Sequence, residues 1–257
     1  MKQYVVDAFT DTVFHGNQAA IIITESWPSD ELMMQITKEN CFADTAFCVK
    51  EDDKYRIRWF TPGGEIDLCG HCTLGAAFIL FKYYEQDADV LKFTSHSGEL
   101  TVIKRGDMLE MEFPSYHLER VEVTDAMEQA LGVRPLEVYK ARDYLFILDS
   151  EDTVKSLKPD FRKIKEFDAL LVHVSAKGTK EDCVSRSFGA RMLIEEDPVC
   201  GSGHCHIIPY WADVLGKKEL VALQASERGG TLYCRFEGDR VFMAGKAVIY
   251  SIDELFI

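Results

Sequence analysis

Two short runs hold most of the side chains able to do chemistry in this 257-residue chain: "EIDLCGHC" at 65–72 and "EEDPVCGSGHCH" at 195–206. The first carries Asp67, Cys69, His71 and Cys72; the second carries Asp197, Cys200, Ser202, His204 and Cys205. Acid and base groups on opposite sides of a bound acid suit proton abstraction and return, which is isomerase or epimerase chemistry. The thiols of Cys69 and Cys200 would serve the same end if a helix N-terminus lowers their pKa. C-x-H-C and C-x3-H-C-H also contain enough thiol and imidazole for tetrahedral zinc, and Cys69 with Cys72 copies the C-x-x-C redox spacing. Zinc knuckles normally sit on exposed loops, and no thioredoxin-like βαβ context surrounds the pair, so the expectation is no metal and no cofactor. Cys72 and Cys205 are expected to enter helices and pack as small hydrophobes, and His204 and His206 to be hydrogen-bonded structural residues.

These residues need elements to position them. "LGAAFILF" at 74–81 is apolar on every side, which fits a helix buried all round or, by pattern alone, a buried strand; the helix is the expectation, and "GHCHIIPYWADVL" at 203–215 is its counterpart, with Pro209 either kinking it or lying in its first turns. A strand, then Cys-Gly, then a buried helix points unpaired N–H groups and a positive dipole end at whatever binds there. A substrate carboxylate at Gly70, His71 and Cys72, or at Gly201, Ser202 and Gly203, then needs no basic side chain.

The two runs belong to an internal repeat. Cys69-Gly70 recurs 131 positions later as Cys200-Gly201, and Ser95/Ser226 and Gly98/Gly229 keep that offset. Leu100/Leu232, Gly106/Gly238 and Asp107/Asp239 follow at 132, while "RWF" at 58–60 answers "RSF" at 186–188 and "FADTAFCVK" at 42–50 answers "FDALLVHVSAK" at 167–177. The predicted fold is α+β, with two similar halves, 1–113 and 114–257, each wrapping strands around one central helix. If the halves face each other, both helix mouths converge on one cleft that holds a small carboxylic acid. A further amphipathic helix is predicted over 28–40, with Ser29 as its N-cap.

The net charge of −14 makes nucleic acid and anionic membranes poor partners, and leaves a small anionic carboxylate as the expected one. Asp7 and Asp11 interrupt the apolar residues at the N-terminus, so no signal-peptide core forms, and eight cysteines without one indicate reduced thiols and a cytoplasmic location. "HGNQAA" (15–20) and "ERGG" (227–230) are glycine turns able to approach a ligand, but no phosphate-binding loop and no Gly-x-Ser-x-Gly elbow occurs.

The motifs "DAFTDTVFHGNQAAII" (7–22), "RWFTPGGEIDLCGHCTLGAA" (58–77), "EEDPVCGSGHCHIIPYW" (195–211) and "QASERGG" (224–230) resemble those of the PhzF-like phenazine-biosynthesis family, whose fold is shared with diaminopimelate epimerase. The resemblance runs nearly end to end. It implies two similar epimerase-like domains, each a barrel-like β-sheet around a central helix, an active site in the cleft between them, commonly a homodimer, and catalysis without metal or cofactor. The family's catalytic glutamate falls on Asp44 in "ADTAF", its Gly-His histidine on His71, its Glu-Asp-Pro aspartate on Asp197, and its carboxylate-holding Gly-Ser pair on Gly201 and Ser202. Asp44 is one methylene shorter than glutamate, roughly 1 to 1.5 Å, which argues against the phenazine precursor as substrate. Cys200 replaces a threonine common in the family, and "CGSG" looks like the second cysteine motif of diaminopimelate epimerase. The leading expectation is a cofactor-independent isomerase of a small carboxylic or amino-acid-like substrate with Asp44 as base. Its alternatives are a two-thiol epimerase or racemase using Cys69 and Cys200, and a binding protein without turnover.

Overall fold

The structure, a computed structural model, describes residues 1–189, 191 and 194–257. It divides into two compact units, Met1–Glu112 with Ala244–Ile257, and Phe113–Met243. Both have mixed α+β architecture, and no helix among the described residues is long and apolar enough to cross a membrane.

In the first unit the strands lie side by side in the order Ala247–Glu254, Lys2–Ala8, Asn17–Thr24, Asp44–Glu51, Lys54–Thr61, Val90–Ser95, Gly98–Arg105 and Met108–Pro114. Of these pairings, Asn17–Thr24 with Asp44–Glu51 and Lys54–Thr61 with Val90–Ser95 are parallel, and the rest antiparallel. The second unit repeats the scheme with Glu119–Val121, Glu137–Lys140, Tyr144–Ile147, Val172–Lys177, Cys183–Gly189, Glu219–Gln224 and Gly230–Glu237. Its parallel pairs, Tyr144–Ile147 with Val172–Lys177 and Cys183–Gly189 with Glu219–Gln224, fall at matching places in the order. Thus "RWF" and "RSF" occupy equivalent strands, and each second parallel connection runs through a Cys-Gly turn and a long helix. One boundary differs from the sequence pattern: Ala244–Ile257 belongs to the first unit, because Ala247–Glu254 pairs with Lys2–Ala8 from Lys2↔Glu254 to Ala8↔Ala247.

The first-unit helix, Gly70–Tyr83, is buried continuously from His71 to Ala77 and packs on the Lys2–Ala8, Asn17–Thr24 and Asp44–Glu51 strands. That matches its uniformly apolar sequence, since no face needs water. The second-unit helix, Gly201–Leu215, tolerates Pro209 in its interior. Proline removes the donor for the carbonyl four residues back, and the N–H of Tyr116 supplies it, reaching the Cys205 carbonyl at 3.1 Å. The remaining long helix begins at Asp30, with Ser29 Oγ accepting from the Leu32 N–H at 3.2 Å. Its Met33 and Ile36 pack on Ile22, Phe47 and Phe60.

Candidate active site

The first-unit helix starts at an N-cap, Cys69, whose side chain makes no capping bond. The first-turn amides of Gly70, His71 and Cys72 lie where no intrahelical carbonyl can reach them, while the Thr73 amide and hydroxyl both turn back onto the Cys69 carbonyl at 3.1 and 2.7 Å. Asp44, the first residue of the Asp44–Glu51 strand, brings its carboxylate to this mouth and is 7% exposed. Its Oδ2 lies 3.4 Å from His71 Nε2 and 3.6 Å from the Cys69 thiol, which donates to it. Cys72 Sγ sits 3.5 Å from His71 Nε2, and the Asn17 amide nitrogen 3.2 Å from His71 Nδ1. With the amide N–H donating to Nδ1, the imidazole proton is on Nε2, facing Asp44. Asp44, Cys69, His71 and Cys72 therefore form one buried cluster, whereas Asp67 is exposed and contributes a backbone carbonyl to the Ser97 hydroxyl at 2.9 Å.

Burial pushes the Cys69 thiol well up, and the nearby Cys72 and Asp44 add to that. For Cys72 burial acts in the same direction but is outweighed by the hydrogen bond with Cys69 and by His71, so its thiol is lowered. Cys72 is thus buried in the helix as expected, yet it faces the imidazole and is more than filler.

Asn17 is aimed by a strained turn. Phe9 and Phe14 hold left-handed backbone angles (φ 64 and 71), and the Asp7 carboxylate ties the turn by accepting the Phe14 N–H at 2.9 Å. Gly16 has φ +67, and a Cβ there would lie 2.2 Å from the Ala8 carbonyl oxygen, so only glycine lets the chain turn sharply enough to begin the next strand at Asn17.

In the second unit Cys200 is the N-cap and its sulfur accepts the Gly203 N–H at 3.4 Å. The amide of Gly203 thus points at the Cys200 sulfur. Gly203 is a glycine for packing, because a Cβ would lie 2.8 Å from the His173 ring. Gly201 and Ser202, both half-buried, form the open end of the helix. Ser202 Oγ accepts from Arg142 at 3.1 Å and lies 3.5 Å from the Cys200 sulfur. Gln224, fully buried, clamps the Cys-Gly turn: its Oε1 accepts the Cys200 N–H at 2.7 Å and its Nε2 donates to the Asp197 carbonyl at 2.6 Å. Burial, and then the Asp197 carboxylate, pushes the Cys200 thiol well up.

Behind this mouth lies a polar network. Asp143, completely buried, receives Arg142 Nε at 2.8 Å and the Leu171 N–H at 3.1 Å, with His173 Nε2 at 3.8 Å. His206 donates Nδ1–H to the Ser202 carbonyl (3.2 Å) and accepts the Asp143 N–H on Nε2 (3.3 Å); burial lowers it to about 3. His204 donates Nδ1–H to the Cys200 carbonyl at 2.7 Å, and burial lowers it to about 4. Both are neutral structural residues, and Cys205 is a buried thiol pushed up to about 12.

Sequence reasoning missed Asn17, Arg142, Asp143, His173 and Gln224 as parts of the site. Asn17 stands inside "HGNQAA", noted for its glycine, and Gln224 opens "QASERGG", noted for its family resemblance; Arg142 and Asp143 in "KARDYLF" look like any surface charge pair.

A family profile described as phenazine biosynthesis-like protein matches residues 6–252. An uncharacterized isomerase of Pseudomonas aeruginosa is 45% identical over 252 residues, covering 98% of this chain and 97% of its own. A phenazine biosynthesis protein of the PhzF family from Enterococcus faecalis superposes with TM-score 0.98 at 44% identity, covering 100% of this chain and 99% of its own. A hydroxyproline epimerase from Agrobacterium vitis, 10% identical with TM-score 0.69 over 99% of this chain and 90% of its own, shares the fold alone.

Proposed function

Because the chain belongs to the phenazine biosynthesis-like protein family, we propose that it is a cofactor-independent isomerase of a small carboxylic or amino-acid-like substrate, with Asp44 as general base. The observation that carries this reading is the Asp44 carboxylate at the mouth of a buried helix, held 3.4 Å from Nε2 of His71. His71, itself fixed by Asn17, orients the carboxylate and passes protons; Asp197 is assigned the same task in its own unit. The amides of Gly70, His71 and Cys72, and those of Gly201 and Ser202 backed by Arg142, are suited to a substrate carboxylate and to the enolate-like charge that grows as the proton leaves.

A second reading has its own support: Cys69 and Cys200 are the N-caps of equivalent helices, as a two-thiol epimerase requires. Burial raises both thiols, however, and a thiol base must be a thiolate, so Asp44 is the better base. Exchange of substrate C–H protons in D2O, followed by NMR over a panel of small carboxylic and amino acids, separates the two. The isomerase reading expects exchange that is lost in Asp44→Asn. Exchange lost in Cys69→Ala and Cys200→Ala but kept in Asp44→Asn would replace it with the epimerase.

A further inference from the structure

We propose that Asp44, Cys69, His71 and Cys72 form a four-ligand site for a thiophilic divalent cation, Zn2+ above all, and that its occupancy switches the proton-transfer site off. The second half of this proposal rests on the isomerase reading; the first does not. Zinc knuckles normally sit on exposed loops, whereas here C-x-H-C lies at the mouth of a buried helix. The fold adds a carboxylate from a different strand, and the candidate ligand atoms all lie within 4.8 Å of one another with every residue buried.

The geometry decides the metal class. Zinc bonds of about 2.0 to 2.3 Å to O, N and S put neighbouring ligand atoms of a tetrahedron about 3.3 to 3.8 Å apart. Here Asp44 Oδ2 to His71 Nε2 is 3.4 Å, Cys72 Sγ to His71 Nε2 is 3.5 Å, Asp44 Oδ2 to Cys69 Sγ is 3.6 Å, and Cys69 Sγ to His71 Nε2 is 3.9 Å. The first three distances fall in that range; Cys69 Sγ lies nearer His71 Nδ1, at 3.5 Å, than Nε2, so its thiol must swing toward Nε2 to complete the tetrahedron. Two sulfurs and one imidazole select zinc or another soft ion over magnesium or calcium. The outer contact is also present: Asn17 sits on the other ring nitrogen of His71, and turning its amide over makes it the acceptor that a metal-bound imidazole needs.

Binding replaces the two thiol protons, which leave to solvent, and shifts the His71 proton from Nε2 to Nδ1, where the turned Asn17 amide oxygen accepts it, as Zn2+ forms two thiolate bonds, one Nε2 bond and one carboxylate bond. Four protein ligands close the coordination shell, so no position remains for substrate or water. The lone pair by which Asp44 would take a proton is then held by the metal. The bound ion is therefore an inhibitor of this site and supplies no chemistry of its own.

The test uses the full chain, purified in chelator, then loaded with Zn2+ or Co2+ and freed of excess. Elemental analysis is expected to find one zinc per chain, and the cobalt form to show thiolate charge-transfer and tetrahedral ligand-field bands. Cys69→Ser, Cys72→Ser and Asp44→Asn, each checked for native circular dichroism, are expected to weaken binding by about 100-fold or more, and Asn17→Ala by about 10- to 100-fold. Cys41→Ser, which removes an exposed thiol elsewhere, is expected to leave binding unchanged. Substoichiometric metal, octahedral cobalt bands, or binding that survives the Cys69→Ser/Cys72→Ser double variant would overturn the site. Proton exchange in the metal-free protein should fall in proportion to zinc occupancy and return with chelator; full exchange at full occupancy would overturn the switch. Stoichiometric zinc on a metal-free chain that shows no exchange would overturn the isomerase reading and leave the metal site standing.

Discussion

Asp143→Ala is the perturbation whose cost can be worked out most fully. The wild-type carboxylate is completely buried at the start of Tyr144–Ile147, where it holds the N–H of Leu171 at the start of the neighbouring parallel strand and two nitrogens of Arg142. Breaking a buried ion pair costs about 3 to 5 kcal/mol. The Arg142 side chain is 34% exposed and can turn to water, so its share of that penalty is discounted. The orphaned Leu171 N–H has no such escape and costs about 1 to 3 kcal/mol. Together these give a loss of about 3 kcal/mol, which for a chain of this length corresponds to a fall in Tm of about 6 to 12 °C. Asp143→Asn keeps an oxygen for Leu171 and loses only charge, so its fall should be less than half as large. Burial alone would raise the Asp143 carboxyl, but His173 and then Arg142 outweigh it and hold it well below the ordinary carboxylate range. Its contribution is therefore complete above the unfolded value near 4 and is lost as pH falls below it, so the gap between wild type and Asp143→Asn should narrow in acid. Differential scanning calorimetry at neutral pH and in acid measures both. Equal destabilisation by Ala and Asn, or a gap that widens in acid, would refute the reasoning.

Gly203→Ala should cost about 1 to 3 kcal/mol, because its methyl must displace the His173 ring from Ser187, to which it is hydrogen-bonded at 2.9 Å; an unchanged melting temperature would contradict the packing role. His204 and His206 are lowered by burial to about 4 and about 3 against an unfolded value near 6.5, so the unfolded chain binds the extra protons and stability should fall as pH drops from about 6.5 toward 4. Nitrogen-15 NMR should show both rings neutral with the proton on Nδ1 at pH 6; a charged ring at that pH would overturn this. Gln224→Ala leaves the Cys200 N–H and the Asp197 carbonyl without their clamp and should cost about 2 kcal/mol, read by chemical denaturation, while Gln224→Glu, which keeps the acceptor for Cys200, should recover part of it.

The repeat was legible because it is written in local signals, namely Cys-Gly before a greasy helix and Gly-Asp between alternating strands, and these fall on equivalent elements in both units. The fate of Ala247–Glu254 was not legible, since its alternation is that of any edge strand and its partner lies at the far end of the chain. Pro209 left its helix ambiguous, because the donor that compensates for it, the Tyr116 N–H, comes from an unrelated loop. At the site, Cys69, His71, Cys200 and Ser202 could be picked out from residue type and spacing. Asp44 needed the family resemblance, because nothing local distinguishes it from the other acids of the chain. Arg142 and Gln224 act through contacts across the sheet, which no window of sequence displays. The packing of the His173 ring against Gly203 is likewise invisible in sequence, because the two residues lie thirty positions apart.

C–H exchange in D2O with the metal-free protein, wild type against Asp44→Asn, decides whether Asp44 is the base. Exchange on a small carboxylic or amino acid is expected to fall by about 100-fold or more in Asp44→Asn, as removal of a general base requires, with Cys200→Ala retaining most of it. Exchange that persists at the wild-type rate in Asp44→Asn would contradict that role.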